Sequence, residues 1–300
     1  MFIKEFEYHR PDNLEEACSL LAKLPEAEVL AGGTDLLTDI DTGIRKANHV
    51  VSISRIAELT QIQDLGGKIA IGAACTARVV ESSPLIQKYF PEIVEMIPLF
   101  ASPQVRTRAT IGGNVCSAVA CGDFPVILIA LGAKVEVVSL NGTRLVQLKD
   151  YFLANRKTVR MKGEILTRIL IPKKSKTSAS HFLKFQRRAS NSLAVASVAA
   201  FLDIQEAICK EARIVLGAVA PTPIIAKDAS KSLLGKKVNG QIISRVAELA
   251  RKEARPINDV RGSVDFRRQL VYVLTKQAIK QVMLKCLPRK ERSDCTGFKC

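Results

Sequence analysis

The 300-residue chain contains no tryptophan and only three histidines, and aromatic residues make up just 5% of it. So few aromatics leave little with which to stack nucleic-acid bases. No segment approaches the roughly 20 consecutive apolar residues that a membrane span needs. The N-terminus MFIKEFEYHRP is charged from its fourth residue and lacks the apolar run of a secretory signal, so a cytoplasmic location is the expectation. There is no CxxC pair: the eight cysteines, at 18, 75, 116, 121, 209, 286, 295 and 300, lack the spacing of a zinc site. They also lack the tight four-thiolate spacing of a protein-bound iron–sulfur cluster. His9, His49 and His181 lie far apart, which gives neither a metal site nor a histidine-based triad local support. No metal-ligating residue and no histidine-based catalytic group is therefore expected. Neither a GxGxxG nor a Walker sequence is present.

What is present is a hydrophobic content of 47% against 25% charged residues, enough for a substantial core in one large domain or two ordinary ones. The net charge of +16 is uneven. Residues 1–150 carry 14 Lys+Arg against 18 Asp+Glu and residues 151–300 carry 31 against 11, so the halves stand at −4 and +20. A basic half fits nucleic acid, an acidic surface or an acidic protein partner. The dispersal of the basic residues over helices and strands argues against the first.

The elements alternate. Asn13 and Glu16 form a helix-start signal before the stripe Leu14, Ala17, Leu20, Leu21 and Leu24, which predicts a helix over 14–24 closed by Pro25. Apolar runs at 28–31, 50–53, 68–71 and 164–172 read as strands, and 134–138 followed by Asn141-Gly142 reads as a hairpin. A helical region over 76–100 is broken by Pro84, Pro91 and Pro98. The polar run 173–178 has linker composition and marks a domain boundary. Beyond it, 194–202 and 212–219 pair as strands, and helices cover 242–255 and 265–287. The second of these has Leu270, Val273, Leu274, Ile279, Val282 and Met283 as its apolar face. Residues 288–300 form a loose polar tail.

Two glycine pairs carry the chemistry, each expected directly after a strand: Ala31-Gly32-Gly33-Thr34-Asp35 and Thr110-Ile111-Gly112-Gly113-Asn114. Glycine turns sharply and lets an anion reach backbone amides without an intervening Cβ. Two such loops facing each other would clamp a pyrophosphate. On residues alone, each pair also reads as a tight turn. Likewise Phe100 and Leu166 read as core, Lys184 as one of many surface lysines, and Asp123 as a helix cap.

The blocks VLAGGTDLL (29–37) and FASPQVRTRATIGGNVCSAVACGDFP (100–125) resemble the FAD-binding signatures of the flavin subunit of molybdenum hydroxylases, the family of xanthine, nicotinate and carbon monoxide dehydrogenases. The similarity continues through EILTRILIP (164–172), KFQRRASNSLAVAS (184–197), VAPTPIIA (219–226) and RPINDVRGSVDFRRQLVYVLTKQA (255–278). It covers nearly the whole chain except the tail. The resemblance implies an α+β fold: a two-lobed PCMH-type FAD-binding domain over 1–175, with FAD between its lobes, and a smaller α+β C-terminal domain over 180–287.

It also implies roles for particular residues. Val29, Leu30, Ala31, Gly32, Gly33, Thr34, Asp35 and Leu36 fall on the first pyrophosphate loop, and Thr110, Ile111, Gly112, Gly113 and Asn114 on the second. Phe100 and Leu166 fall where the adenine is sandwiched, Asp123 on an acidic position contacting FAD, and Lys184 on a basic position near the flavin. The family's function is electron transfer within a complex, from two [2Fe–2S] clusters on one partner subunit, fed by a molybdopterin cofactor on another, to this FAD and on to NAD+ or another acceptor. The cysteine-bearing insertion of cluster-containing members is missing between Asn114 and Asp123, so Cys116 and Cys121 are expected as small core residues. The basic half would serve assembly, with Arg187 and Arg188 among its exposed charges. A self-sufficient flavin oxidase of the vanillyl-alcohol-oxidase-like group is the alternative. Such an oxidase often carries a histidine for covalent flavin attachment, and none lies beside either glycine block.

Overall fold

The computed structural model describes residues 5–188 and 192–286. The expected tail over 288–300, with Cys295 and Cys300, lies outside the described residues. Two compact units interleave in sequence. Unit 1 comprises residues up to 97, 101–118 and 132–172, and unit 2 comprises 98–100, 119–131 and the chain from 173 onward.

Unit 1 contains β1 (Glu7–His9), α1 (Leu14–Lys23), β2 (Ala27–Leu30), α2 (Leu36–Asp41) and β3 (His49–Ser52), then β4 (Ile62–Asp64) and β5 (Lys68–Gly72). Short helices α3 (Ala77–Ser82), α4 (Pro84–Tyr89), α5 (Pro91–Met96), α6 (Pro103–Arg106) and α7 (Ile111–Ser117) follow. Pro84, Pro91 and Pro103 each occupy a first helical turn, where a missing N–H costs nothing, so the prolines start helices as well as ending them. After α8 (Asp123–Ala130), which belongs to unit 2, unit 1 resumes with β6 (Lys134–Ser139), β7 (Gly142–Gln147), β8 (Phe152–Ala154), β9 (Lys157–Thr158) and β10 (Ile165–Pro172).

The strands of unit 1 form a parallel three-stranded sheet, β1-β3-β2, a five-stranded sheet, β4-β5-β10-β6-β7, and the small β8-β9 pair. Asn13 caps α1 by accepting from the Glu16 amide at 2.9 Å, while Glu16 accepts from the Asp12 amide, a reciprocal arrangement that fixes the helix start. At the β6–β7 hairpin Gly142 takes φ +124°, a backbone state closed to residues with a Cβ.

Unit 2 is a four-stranded antiparallel sheet with helices. Its strands are β11 (Ser178–Gln186), β12 (Ala194–Gln205), β13 (Ile208–Gly217) and β14 (Ile224–Ile225), in that order, followed by α9 (Lys227–Leu233), α10 (Gly240–Glu253) and α11 (Val264–Cys286). Nine consecutive residues from Ala194 are buried, because both faces of β12 are covered. The face bearing Ala196, Val198, Ala200 and Leu202 shares a core with Ile243, Val246, Leu274 and Val282 of the long helices. The other face meets α8, all eight of whose residues are buried. There Gly217 leaves room for Ser197 and Val126, which an added Cβ would approach to 2.4 and 2.5 Å.

Two expectations are corrected here. The expected face of α11 holds at Leu274, Ile279, Val282 and Met283, which are buried, and at Leu270, which packs against the core; only Val273, 39% exposed, falls outside it, and Val271 and Ala278 are buried instead. Helix α9 carries no capping side chain and was not visible in the sequence. Among the described residues no helix is long and apolar enough to cross a membrane.

Candidate functional site

In unit 1 the first glycine pair follows β2 directly, and its carbonyls enter the protein's own bonding. Leu37 donates to the Gly33 carbonyl at 3.1 Å and Asp39 to the Asp35 carbonyl at 2.8 Å as α2 begins. The amides of Gly32, Gly33, Thr34 and Asp35 make no hydrogen bond among the described residues. Four successive unspent donors, ahead of a helix start, suit an anion with several oxygens. The loop is held from below by α2, where the buried Asp39 carboxylate pairs with Arg156, and with Arg45 at 3.4 Å. Gly33 takes φ +79°, and a Cβ on Gly32 would stand 1.9 Å from the Arg108 carbonyl oxygen. Gly32 is therefore required by the close approach of the segment just before Thr110, whatever it binds.

The second pair differs from expectation. It does not follow a strand but lies in the first turn of α7, with Thr110 as N-cap. Its amides are spent: Ile111 donates to Cys75 at 2.9 Å, Gly112 to the Ala73 carbonyl at 3.0 Å, Gly113 to Thr110 Oγ1 at 3.0 Å and Asn114 to the Thr110 carbonyl at 3.0 Å. A Cβ on Gly112 would meet Ala73 at 2.5 to 2.8 Å. The two blocks are thus brought close through Gly32 and Arg108, but of the two glycine pairs only the first has unspent amides. Leu166 sits in β10 opposite Val137 and is 3% exposed.

Unit 2 gathers the remaining site residues except Leu166. Lys184, on β11, donates to Asp123 Oδ2 at 2.7 Å and to the Leu99 carbonyl at 3.0 Å. With side chains 2% and 5% exposed, the pair is buried, which corrects the reading of Lys184 as a surface lysine. Burial pushes the Asp123 carboxyl up to about 6, against the pull of the Lys184 ammonium. Asp123 Oδ1 is buried and has no hydrogen-bond partner among the described residues. An orphaned buried acceptor of this kind matches a ligand hydroxyl. Beside it Phe100 packs edge-on against Phe124, ring centres 5.2 Å apart, within unit 2. Phe100 and Leu166 fall in different compact units.

Sequence reasoning missed a second ion-pair cluster in unit 2: its side chains lie within nine residues, but neither their pairing nor the burial of Arg267 is marked by a local motif. Arg267, 3% exposed, donates to the Ala218 carbonyl at 2.9 Å and pairs with Asp259, which Arg261 also grips through two nitrogens. Burial opposes ionisation of Asp259, but the Arg267 and Arg261 bonds outweigh it and hold the carboxyl well below its usual range. The thiol of Cys121 is pushed up by burial, despite nearby Arg261. Cys116 lies 3.3 Å from the Tyr151 hydroxyl in unit 1. His9 and His49, forty residues apart, stand side by side at 3.2 Å.

Residues 4–174 match the family described as the FAD binding domain in molybdopterin dehydrogenase, and residues 180–282 match the CO dehydrogenase flavoprotein C-terminal domain. The carbon monoxide dehydrogenase medium chain of Hydrogenophaga pseudoflava is 30% identical over 95% of this chain and 100% of its own length. A putative xanthine dehydrogenase FAD-binding subunit of Escherichia coli is 30% identical over 92% and 95% of the two chains. Among solved structures, a chain of the Hydrogenophaga pseudoflava carbon monoxide dehydrogenase superposes with a TM-score of 0.93 at 31% identity, covering 96% of this chain and all of that one. A chain of quinoline 2-oxidoreductase from Pseudomonas putida gives 0.90 at 29% identity, covering 96% of this chain and all of that one.

Proposed function

Since the chain belongs to the FAD-binding flavoprotein family of molybdopterin dehydrogenases, we propose that it is the electron-transferring subunit of such a complex, taking electrons from [2Fe–2S] clusters on a partner and passing them to NAD+ or another acceptor. A second partner would carry the molybdenum cofactor at which substrate is oxidised. The bound flavin supplies the exchange between one-electron arrivals and a two-electron acceptor. This chain's residues bind and orient the cofactor, and no general acid or base is assigned to them.

The observation that carries the reading is the run of unspent amides from Gly32 to Asp35. We assign them to the pyrophosphate, since oriented N–H groups bind phosphate oxygens without bringing a side-chain cation. Around them, Val29, Leu30, Ala31 and Leu36 shape the loop, and the block from Thr110 to Asn114 fixes its position. Asp123 Oδ1 is assigned to a cofactor hydroxyl, with Lys184 holding the carboxylate in place; Phe100 and Leu166 are assigned to apolar contact with the adenine. Residues 1–175 serve as the FAD-binding domain and 180–287 as the C-terminal domain, working in the cytoplasm. Arg187 and Arg188 are exposed and belong to the basic half that would steer an acidic partner.

The test is the flavin itself. The purified full-length chain should show flavin absorbance, and acid precipitation should leave that flavin in the supernatant. Gly33→Ala should lower flavin content at unchanged far-UV circular dichroism. Flavin retained in full by a folded Gly33→Ala protein would contradict the assignment of this loop, and flavin remaining with the acid pellet would contradict non-covalent binding.

A further inference from the structure

We propose that Glu7, His9 and His49 form a divalent transition-metal site of the zinc class that clips the N-terminal strand β1 to its neighbour β3. The sheet geometry assembles the three. Side chains of residues two apart on a strand share a face, so Glu7 and His9 point the same way from β1. In the parallel β1–β3 pairing Glu7 lies opposite His49, which brings the second imidazole to that face. On its other side His49 lies opposite Ala27 of β2, whose small side chain leaves the imidazole room. Among the described residues this is the one group of three or more side chains whose ligand atoms, taken from His, Cys, Asp and Glu, lie within 4.8 Å of one another.

The distances are those of a coordination polyhedron. His9 Nε2 is 3.2 Å from His49 Nδ1, and Glu7 Oε2 is 3.4 Å from His49 Nδ1 and 3.8 Å from His9 Nε2. The circle through these three atoms has a radius of about 2.0 Å, and zinc binds imidazole nitrogen and carboxylate oxygen at about 2.0 to 2.2 Å. An ion at or just above the plane of the three atoms would therefore reach all of them without rearrangement. An ion pair between Glu7 and a protonated imidazole would produce the same three contacts without a metal, so metal uptake itself separates the two arrangements.

Two imidazoles and a carboxylate select a borderline ion such as Zn(II) over oxygen-seeking Mg(II) and Ca(II) or thiophilic Cu(I). The imidazoles are largely covered, with side chains 22% and 15% exposed, while Glu7 is 73% exposed, so the fourth position opens to water. The physical consequence is structural. β1 is a three-residue edge strand paired only with β3, and such short edges hold poorly by backbone bonds alone. A shared ion adds a cross-strand link where the sheet is weakest.

The test uses the full-length chain after chelator treatment and titrates Zn(II) by calorimetry and Co(II) by visible absorbance. Wild type should bind one equivalent of Co(II) with nitrogen and oxygen ligand bands, without the intense near-ultraviolet band of thiolate ligation. His9→Ala with His49→Ala should weaken that equivalent by more than about 100-fold, since even outer-shell changes around a metal cost 10- to 100-fold, while flavin content stays unchanged. Glu7→Gln should weaken it less. A readout free of variants is protection: Zn(II) should shield His9 and His49, but not His181, from diethyl pyrocarbonate in wild type. Absence of that protection, or equal uptake by wild type and the double variant, would overturn the site.

Discussion

The two glycine pairs look alike in sequence and differ in how their amides are bonded. Gly32-Gly33 forms a loop whose amides are left unspent, and Gly112-Gly113 forms a helix turn whose amides are all committed to Ala73, Thr110 and their neighbours. Both first glycines are forced by crowding, against Arg108 in one case and Ala73 in the other. What separates the two pairs is the accounting of hydrogen-bond groups. The same distinction applies within one side chain in unit 2, where Asp123 commits Oδ2 to Lys184 and leaves Oδ1 over.

The largest effect should come from breaking a committed pair. Lys184→Met strands a buried carboxylate and should cost unit 2 about 3 to 5 kcal/mol, read by urea denaturation, and adding Asp123→Asn should recover part of it. Because the folded state holds the Asp123 proton more tightly than an unfolded chain does, that proton's contribution is present at low pH and fades as pH rises through about 6. The stability advantage of wild type over Asp123→Asn should therefore widen between pH 7 and pH 4. A constant difference would show that Asp123 does not titrate in that window.

Next in size, Gly112→Ala should cost about 2 to 3 kcal/mol by overpacking against Ala73, with a lower thermal midpoint. Gly33→Ala should cost about 1 to 2 kcal/mol, since an L residue is strained at its positive φ, and should reduce flavin content more than stability. Smallest is Gly113→Ala: its Cβ would crowd the Thr110 cap oxygen at 2.8 Å, but alanine favours the helix, so the net change should stay within about 1 kcal/mol with flavin retained. A folded Gly113→Ala protein without flavin would erase the contrast between the pairs.

Local signals were legible in the sequence and distant pairings were not. The Asn13 cap and the Asn141-Gly142 turn act within four residues, and both are found in place. The second glycine block was misread as a post-strand loop because glycine disfavours helix interiors; tertiary bonds from Gly112 to Ala73 override that preference. Lys184 and Asp123 are 61 residues apart, and nothing in either local sequence announces a buried ion pair. The apolar run at 123–130 is plain in the sequence, but its membership in unit 2 follows from packing against β12 and β13. Long blocks of family resemblance singled out candidate site residues; they did not say which amides were free.

Hydrogen exchange read by mass spectrometry, on the full-length chain with and without FAD, tests the central claim most directly. Peptides spanning residues 30–36 should exchange rapidly at Gly32 to Asp35 without FAD and become protected with it, since those amides have no partner among the described residues and are assigned to the cofactor. Peptides spanning 111–117 should be protected to a similar degree in both states. Equal gains of protection in the two segments, or none at 30–36, would contradict the division of labour between the glycine pairs.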